Sequence, residues 1–253
     1  MVKQIRVIVE TSTMKRFVML VLLIGLAALA VGCGRASTTA IPTEAVYAPA
    51  IDPANFVTTI DNPYFPLQPG TTFVYEGRTE KGNEHNAVYV TYETRVILGV
   101  TCVVVSDTVT VDGALEEATL DWYAQDRQGN VWYLGEDSRE YETGAVVSTA
   151  GSWETGVDGA QPGILMPARP SLGDPYRQEY YRGQAEDMAQ VLSLTESASV
   201  PYGDYTNLLM TKEWSALEPS VVEHKYYAQG IGFVLVTTEG EDWKLSLVEI
   251  RHD

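Results

Sequence analysis

Leu120-Asp121-Trp122-Tyr123-Ala124-Gln125 is followed by Asp126-Arg127-Gln128-Gly129-Asn130 and then by Val131-Trp132-Tyr133-Leu134. Side chains of an extended strand alternate between its two faces. Leu120, Trp122 and Ala124 therefore share one face, and Asp121, Tyr123 and Gln125 the other. The Asp, Gly and Asn residues between the runs are those that reverse a chain tightly. The stretch reads as a β-hairpin, and the sequence on either side continues in kind. Phe73, Tyr75 and Gly77 alternate with Val74, Glu76 and Arg78, and Lys81-Gly82-Asn83 makes a turn. Val88, Val90, Tyr92, Thr94 and Val96 share a face. Val103, Val105, Val109 and Val111 share another with Asp107, and Asp112-Gly113 is a strong turn signal. Glu142-Thr143-Gly144 turns the chain into Ala145–Thr149.

Strands resume at Tyr176–Tyr181, Val191–Val200, Thr206–Ser215, Val221–Tyr227, Ile231–Glu239 and Trp243–Ile250. Asn62-Pro63-Tyr64-Phe65-Pro66-Leu67-Gln68-Pro69-Gly70 reads as a rigid extended lead-in, and Glu186 to Gln190 as one helical turn. Ala150 to Pro175, rich in Gly and Pro, reads as an irregular loop, either a lid or a strap closing one end of the sheet. The expectation is a single all-β domain over residues 61–253. It is a strongly curved antiparallel sheet or barrel of about 11–13 strands, with few or no helices after the signal segment.

The N-terminus is an address. Lys15 and Arg16 follow Met14, and Phe17 to Val31 is almost wholly apolar. A basic start, a short apolar run and small residues at its end make an export signal. The run is short of the roughly 20 residues that span a bilayer. Ala30-Val31-Gly32-Cys33 resembles a bacterial lipobox, which implies that Cys33 carries lipid. Residues 1–32 are read as signal peptide with Met14 as the true start, and residues 33–60 as lipidated Cys33 and a flexible tether. Gly34 after that Cys, rather than Asp, implies the outer membrane if the cell has one, and otherwise the cell surface.

The chain carries 17 Lys and Arg against 34 Asp and Glu, a net charge of −17. Removing residues 1–32 takes away four basic residues and one acidic, leaving 13 against 33. Such a surface excludes a general nucleic-acid binder, which needs basic residues for phosphate. Cys102, the other cysteine, lies among valines and reads as a small buried hydrophobe.

Aromatic residues come as neighbours: Trp122-Tyr123, Trp132-Tyr133, Tyr180-Tyr181 and Tyr226-Tyr227. Trp122 sits in phase with Leu120 and Trp132 with Leu134, which points to both tryptophans as core. Tyr123, Tyr133, Tyr181 and Tyr227 then lie on a second face. With Trp153 they form a candidate surface for a lipid or other apolar or amphipathic ligand, or for a sugar ring.

No Gly-x-Ser-x-Gly, His-Glu-x-x-His or Cys-x-x-Cys occurs, so no hydrolase or zinc motif supports catalysis. No catalytic residue is assigned and no cofactor is expected. Glu136 and Asp137 are candidates for a calcium site. Glu136, Asp137 or Glu223 would have to supply the paired carboxylates of a hydrolase. His224 shares a strand face with Val222 and Tyr226, which suits a core or rim histidine, while Glu223 and Lys225 point the other way.

Asn62-Pro63-Tyr64-Phe65-Pro66-Leu67, Asp121 to Asp126, Gly129-Asn130-Val131-Trp132-Tyr133, Gly151-Ser152-Trp153-Glu154 and Tyr226-Tyr227-Ala228 with Gly230-Ile231-Gly232 together resemble a group of uncharacterised bacterial lipoproteins. More loosely, the chain resembles curved-sheet lipoprotein carriers of the LolA type, without their helices. The resemblance implies an envelope protein. The functional expectation is a non-enzymatic, lipid-anchored extracytoplasmic protein that binds a hydrophobic or amphipathic ligand on a tyrosine-lined concave face. The alternatives are a carbohydrate- or calcium-binding surface module and a scaffold within an envelope complex.

Overall fold

The computed structural model describes residues 47–173 and 175–253. The signal segment, Cys33 and the first part of the tether lie outside the described residues. Among the described residues, one 3₁₀ turn (Pro53–Asn55) is followed by strands alone. In chain order they are β1 (Phe56–Val57), β2 (Ile60–Asn62), β3 (Phe65–Leu67), β4 (Thr71–Thr79), β5 (Gly82–Ile97) and β6 (Val100–Val111). β7 (Ala114–Asp126), β8 (Val131–Glu142), β9 (Ala145–Ser148), β10 (Trp153–Glu154), β11 (Gln161–Met166) and β12 (Tyr176–Arg177) follow. The last six are β13 (Glu179–Tyr180), β14 (Asp187–Val200), β15 (Gly203–Ser215), β16 (Val222–Ala228), β17 (Gly232–Thr238) and β18 (Lys244–His252).

Neighbouring strands pair in the order β12-β14-β15-β16-β17-β18-β4-β5-β6-β7-β8-β11-β13. The two ends of this path, β12 and β13, are halves of one extended segment. Tyr176 and Arg177 pair with β14 on one side, and Glu179 and Tyr180 pair with β11 on the other. Gln178 sits buried between them, its N–H donating to the Asp187 carbonyl at 2.8 Å. The sheet is thereby a nearly closed antiparallel barrel. Gly163 permits the closure, since a Cβ there would lie 2.2 Å from the Gln178 backbone.

Four stretches differ from expectation. Ala150–Pro175 is no irregular loop: β10 and β11 inside it pair with β8 and form part of the wall. Glu186–Gln190 is not a helical turn, because β14 begins at Asp187 and pairs with β15. Asn62–Leu67 is not an extended lead-in but the hairpin β2–β3, turning at Pro63-Tyr64 where the Asn62 side chain accepts from the Tyr64 N–H at 2.9 Å. Residues 51–57 lie against the barrel rather than in a tether: Phe56 and Val57 pair with Asp126 and Gln125.

The apolar side chains form two clusters. Inside the barrel are Phe73, Tyr75, Val88, Val90, Val103, Val105, Tyr123, Tyr133, Val236, Leu245 and Leu247, joined by Phe65 and Leu67 from the β2–β3 hairpin. A smaller outer cluster holds Ile97, Val100, Cys102, Val104, Trp122, Ala124 and Leu134, and Ile51, Phe56 and Trp132 cover it. Both faces of this hairpin are buried, and the barrel interior lies on the one that the hydrophobic reading does not mark as core. Trp122 belongs to the outer cluster, and Tyr123 and Tyr133 are the interior. Likewise Glu223, Lys225 and Tyr227 of β16 are buried, while His224 is only partly covered.

Candidate functional site

The barrel interior has an apolar mouth and a polar, acid-rich layer beneath it. The β2–β3 hairpin covers the mouth without joining the barrel's ladder. Side-chain amides pin it. Gln125 accepts from the Asp61 and Asn62 N–H groups at 3.0 and 2.9 Å and donates to Asp61 at 2.6 Å. Asn62 donates to the Gly129 and Pro167 carbonyls at 2.8 and 3.1 Å. The Gly230 N–H donates to the Pro63 carbonyl at 2.7 Å. Beneath the hairpin is a cavity of about 20 Å³, lined by Phe65, Leu67, Phe73, Tyr75, Val88, Val105 and Phe233 among others. That volume holds about one water.

From Phe65 a chain of rings leads into the interior. Phe65 meets Tyr123 edge-on at 5.5 Å, Tyr123 stacks on Tyr133 at 4.8 Å, and Tyr133 meets Trp153 edge-on at 5.3 Å. Offset and edge-to-face pairs of this kind add to the burial of the rings themselves. Three of the five aromatic candidates, Tyr123, Tyr133 and Trp153, therefore meet in one row. Tyr227 is also interior and edge-on to Phe233, but on another part of the wall. Tyr181 is only partly covered and packs at the margin of the core.

The acidic layer lies next to these rings. Val88 pairs with Asp107, and Val105 with Asp121, so each carboxylate neighbours a residue that lines the cavity. Asp121 stands directly opposite Glu136 on the adjacent strand. The Tyr133 hydroxyl donates to Asp121 at 2.5 Å, the Trp153 N–H to Glu179 at 2.9 Å and the Trp243 N–H to Glu84 at 3.2 Å. The Asn86 amide donates to Asp107. Burial, with the charges of Asp121 and Glu117, pushes the Asp107 carboxyl up to about 7. Burial also raises the Tyr123 and Tyr133 hydroxyls well above the usual range, and Asp121 and Glu136 add to the effect. Three polar atoms in this region, Asn86 Oδ1, Glu84 Oε1 and the Tyr123 hydroxyl, are buried without a hydrogen-bond partner. Unsatisfied buried groups are costly and uncommon in folded proteins.

Across the barrel, Glu213 and Glu223 also face each other on adjacent strands. The Lys225 ammonium lies 2.7 Å from Glu213 and 3.6 Å from Glu223. Glu213 also accepts from Thr211 at 2.8 Å and Tyr227 at 3.0 Å. Burial alone would lower the Lys225 ammonium, but the two carboxylates outweigh it and hold it above the usual lysine range. Burial pushes Glu223 up to about 7, against the pull of Lys225.

Glu136 and Asp137 do not converge. Glu136 is buried, whereas Asp137 lies on the other face and pairs with Arg139 at 2.9 Å. Tyr133 and Glu136 both point inward although three residues apart, because β8 shifts register against β7 between Trp122 and Tyr123. At this bulge Gly135 has φ 144° and comes so close to β10 that a Cβ would lie 2.3 Å from the Trp153 carbonyl oxygen. Glu84, Asn86 and Lys225 are site residues that the hydrophobic reading passed over. Glu84 and Asn86 carry a usable signal, since they share parity with Val88 and Val90 on β5.

No protein-family model matches the chain. No curated protein matches it either. Among solved structures the chain is similar to one described as a "putative lipoprotein" from Parabacteroides distasonis. The two are 13% identical, with a TM-score of 0.39, over 75% of this chain and 99% of that chain. A likeness at this level carries no functional argument.

Proposed function

We propose that the protein is a non-enzymatic, extracytoplasmic barrel anchored by lipid at Cys33, and that it takes an amphipathic guest with a cationic head group through the covered mouth. The observation that carries this reading is the vertical order of the interior. Apolar Phe65, Phe73 and Phe233 line the cavity, and the row beneath it holds Asp107 and Asn86. An apolar chain suits the first and an ammonium group the second. Tyr227 meets Phe233 edge-on, and Tyr181 lies at the margin of the core. The cavity as it stands is too small for such a guest, so binding requires the β2–β3 hairpin to lift, which breaks the hydrogen bonds from Gln125, Asn62 and Gly230 but no barrel ladder.

The test is calorimetric titration with dodecyltrimethylammonium, dodecyl sulfate and dodecyl maltoside, all below their micelle concentrations. The expected result is binding of the cationic amphiphile at least about tenfold tighter than the other two, equivalent to about 1.4 kcal/mol. Asp107→Asn should reduce that preference. Equal affinity for all three, or none, would remove the reading. Mass spectrometry of the Cys33 peptide tests the anchor separately.

A further inference from the structure

Four turns share one backbone conformation, a residue near φ 50° followed by Gly near φ 80°: Leu98-Gly99, Asp112-Gly113, Thr143-Gly144 and Asp158-Gly159. Three of them place a polar residue at the first position. Only the β5–β6 turn places leucine there. The left-handed region costs an ordinary side chain roughly 1–2 kcal/mol, and Asn and Asp tolerate it best. Leu98 is nevertheless 55% exposed, so burial does not compensate the cost in the folded domain. It has apolar company. Val96 on the same hairpin is 67% exposed and Val157 is 50% exposed. Leu98 packs close enough to Gly156 that a Cβ there would lie 2.9 Å away.

The position of this tip gives the patch a meaning. Strands alternate in direction, so the β5–β6 turn lies at the same end of the barrel as the β7–β8 and β16–β17 turns that hold the β2–β3 hairpin. The N-terminal segment arrives at this end too. Pro53 packs 3.0 Å from where a Gly99 Cβ would be, and the Asn55 carbonyl accepts from the Arg127 N–H at 2.8 Å. Fourteen residues, Gly34 to Tyr47, separate Cys33 from Ala48. Even fully extended they span no more than about 50 Å. If Cys33 sits in the membrane, the apolar tip is on the tethered end.

We propose that the Val96–Leu98 tip, with Val157 beside it, docks on the surface of the bilayer that holds the Cys33 lipid, so that the covered mouth faces the membrane. This rests on the lipid-anchor reading above. The occupant is lipid rather than protein because the chain that enters beside the tip leads within a bounded length to the lipidation site. Arg95, three residues before Leu98 on β5, is already engaged by Glu154 and by the Trp122 ring, which leaves the contact apolar in character.

The test uses lipidated full-length protein reconstituted in phosphatidylcholine vesicles that carry a nitroxide-labelled lipid. An environment-sensitive fluorophore is placed at Leu98→Cys or, as control, at Val146→Cys beyond the opposite end. Cys102 is buried, with its thiol pushed up to about 12, and does not compete for the label. The expected result is at least twofold stronger quenching at 98 than at 146. A second variant, Leu98→Asn, which the turn accepts readily, should leave melting unchanged or higher and halve the quenching of a label at Val157→Cys. Equal quenching at 98 and 146 with lipid present on Cys33 overturns the docking proposal and leaves the anchor standing. Absence of lipid on Cys33 overturns the anchor, and docking with it.

Discussion

Lys225→Met is expected to destabilise the barrel by about 3–5 kcal/mol at neutral pH, which is the usual cost of removing one partner of a buried ion pair. Among the described residues Lys225 is the one fully buried basic side chain, and it lies between the opposed carboxylates Glu213 and Glu223. Methionine fills the volume but leaves two carboxylates face to face in a medium of low polarity. For a domain of this size the loss corresponds to a fall in Tm of about 10 °C. The defect should shrink at pH 5, where Glu223, pushed up to about 7 by burial, takes up a proton. Adding Glu213→Gln to Lys225→Met should restore part of the loss at pH 8. Thermal unfolding of the three proteins at both pH values checks this. A Lys225→Met protein as stable as the parent would mean that the lysine is not buried between the two acids.

The second large effect is in the pH dependence of the unmodified protein. Asp107 and Glu223 are both pushed up to about 7 by burial, from ordinary values of 3.8 and 4.5. Each therefore holds its proton more tightly in the folded chain than in the unfolded one. Between the ordinary values and about pH 7 the folded chain binds more protons, and stability falls as pH rises through that window. Their contribution is complete below about pH 4 and gone above about pH 8. Surface pairs such as Glu249 with Arg251 act in the opposite sense, because that carboxyl is held down by the guanidinium, but their loss occurs only below the carboxylate range. The expected result is a Tm at pH 5 several degrees above that at pH 8. Asp107→Asn should raise the Tm at pH 8 and flatten the profile. A Tm that rises steadily from pH 5 to pH 8 would contradict the assignment of these two groups to the interior.

Much of the architecture is legible in the two-residue alternation and in the turn dipeptides. Asp112-Gly113 and Thr143-Gly144 both turn where the sequence predicts, and the all-β barrel-like sheet follows from strands of that spacing. The closure is not legible. It depends on Tyr176–Tyr180 pairing with β14 by one half and with β11 by the other, and nothing local in those residues requires two partners. The direction of each face is harder still. Trp122, Leu134 and Val104 are as apolar as the interior, because residues 51–57 shelter them on the outside. In β16 the buried face is Glu223-x-Lys225-x-Tyr227, so hydrophobic contrast points the wrong way.

The candidate site was half readable for the same reason. Tyr123 and Tyr133 do share one face, since they pair directly across adjacent strands, but that face is packed interior and not an open concave surface. Trp153 joins them through β10, which lies in a stretch whose glycines disguise it as a loop. Glu136 is placed beside them by the bulge at Leu134-Gly135, a one-residue insertion that inverts the parity of everything after it. Asp107 reads as the odd member of a valine face, and a carboxylate in phase with buried valines is a signal for an interior acid that no motif search would raise.

The inside of this barrel is an acid layer beneath an apolar mouth. Carboxyl ¹³C resonances followed by NMR through a pH titration test it most directly. Two side-chain carboxyls should show midpoints near pH 7, one absent in Asp107→Asn and the other in Glu223→Gln. Titration of every carboxyl below about pH 5, in the range of solvated acids, would contradict it.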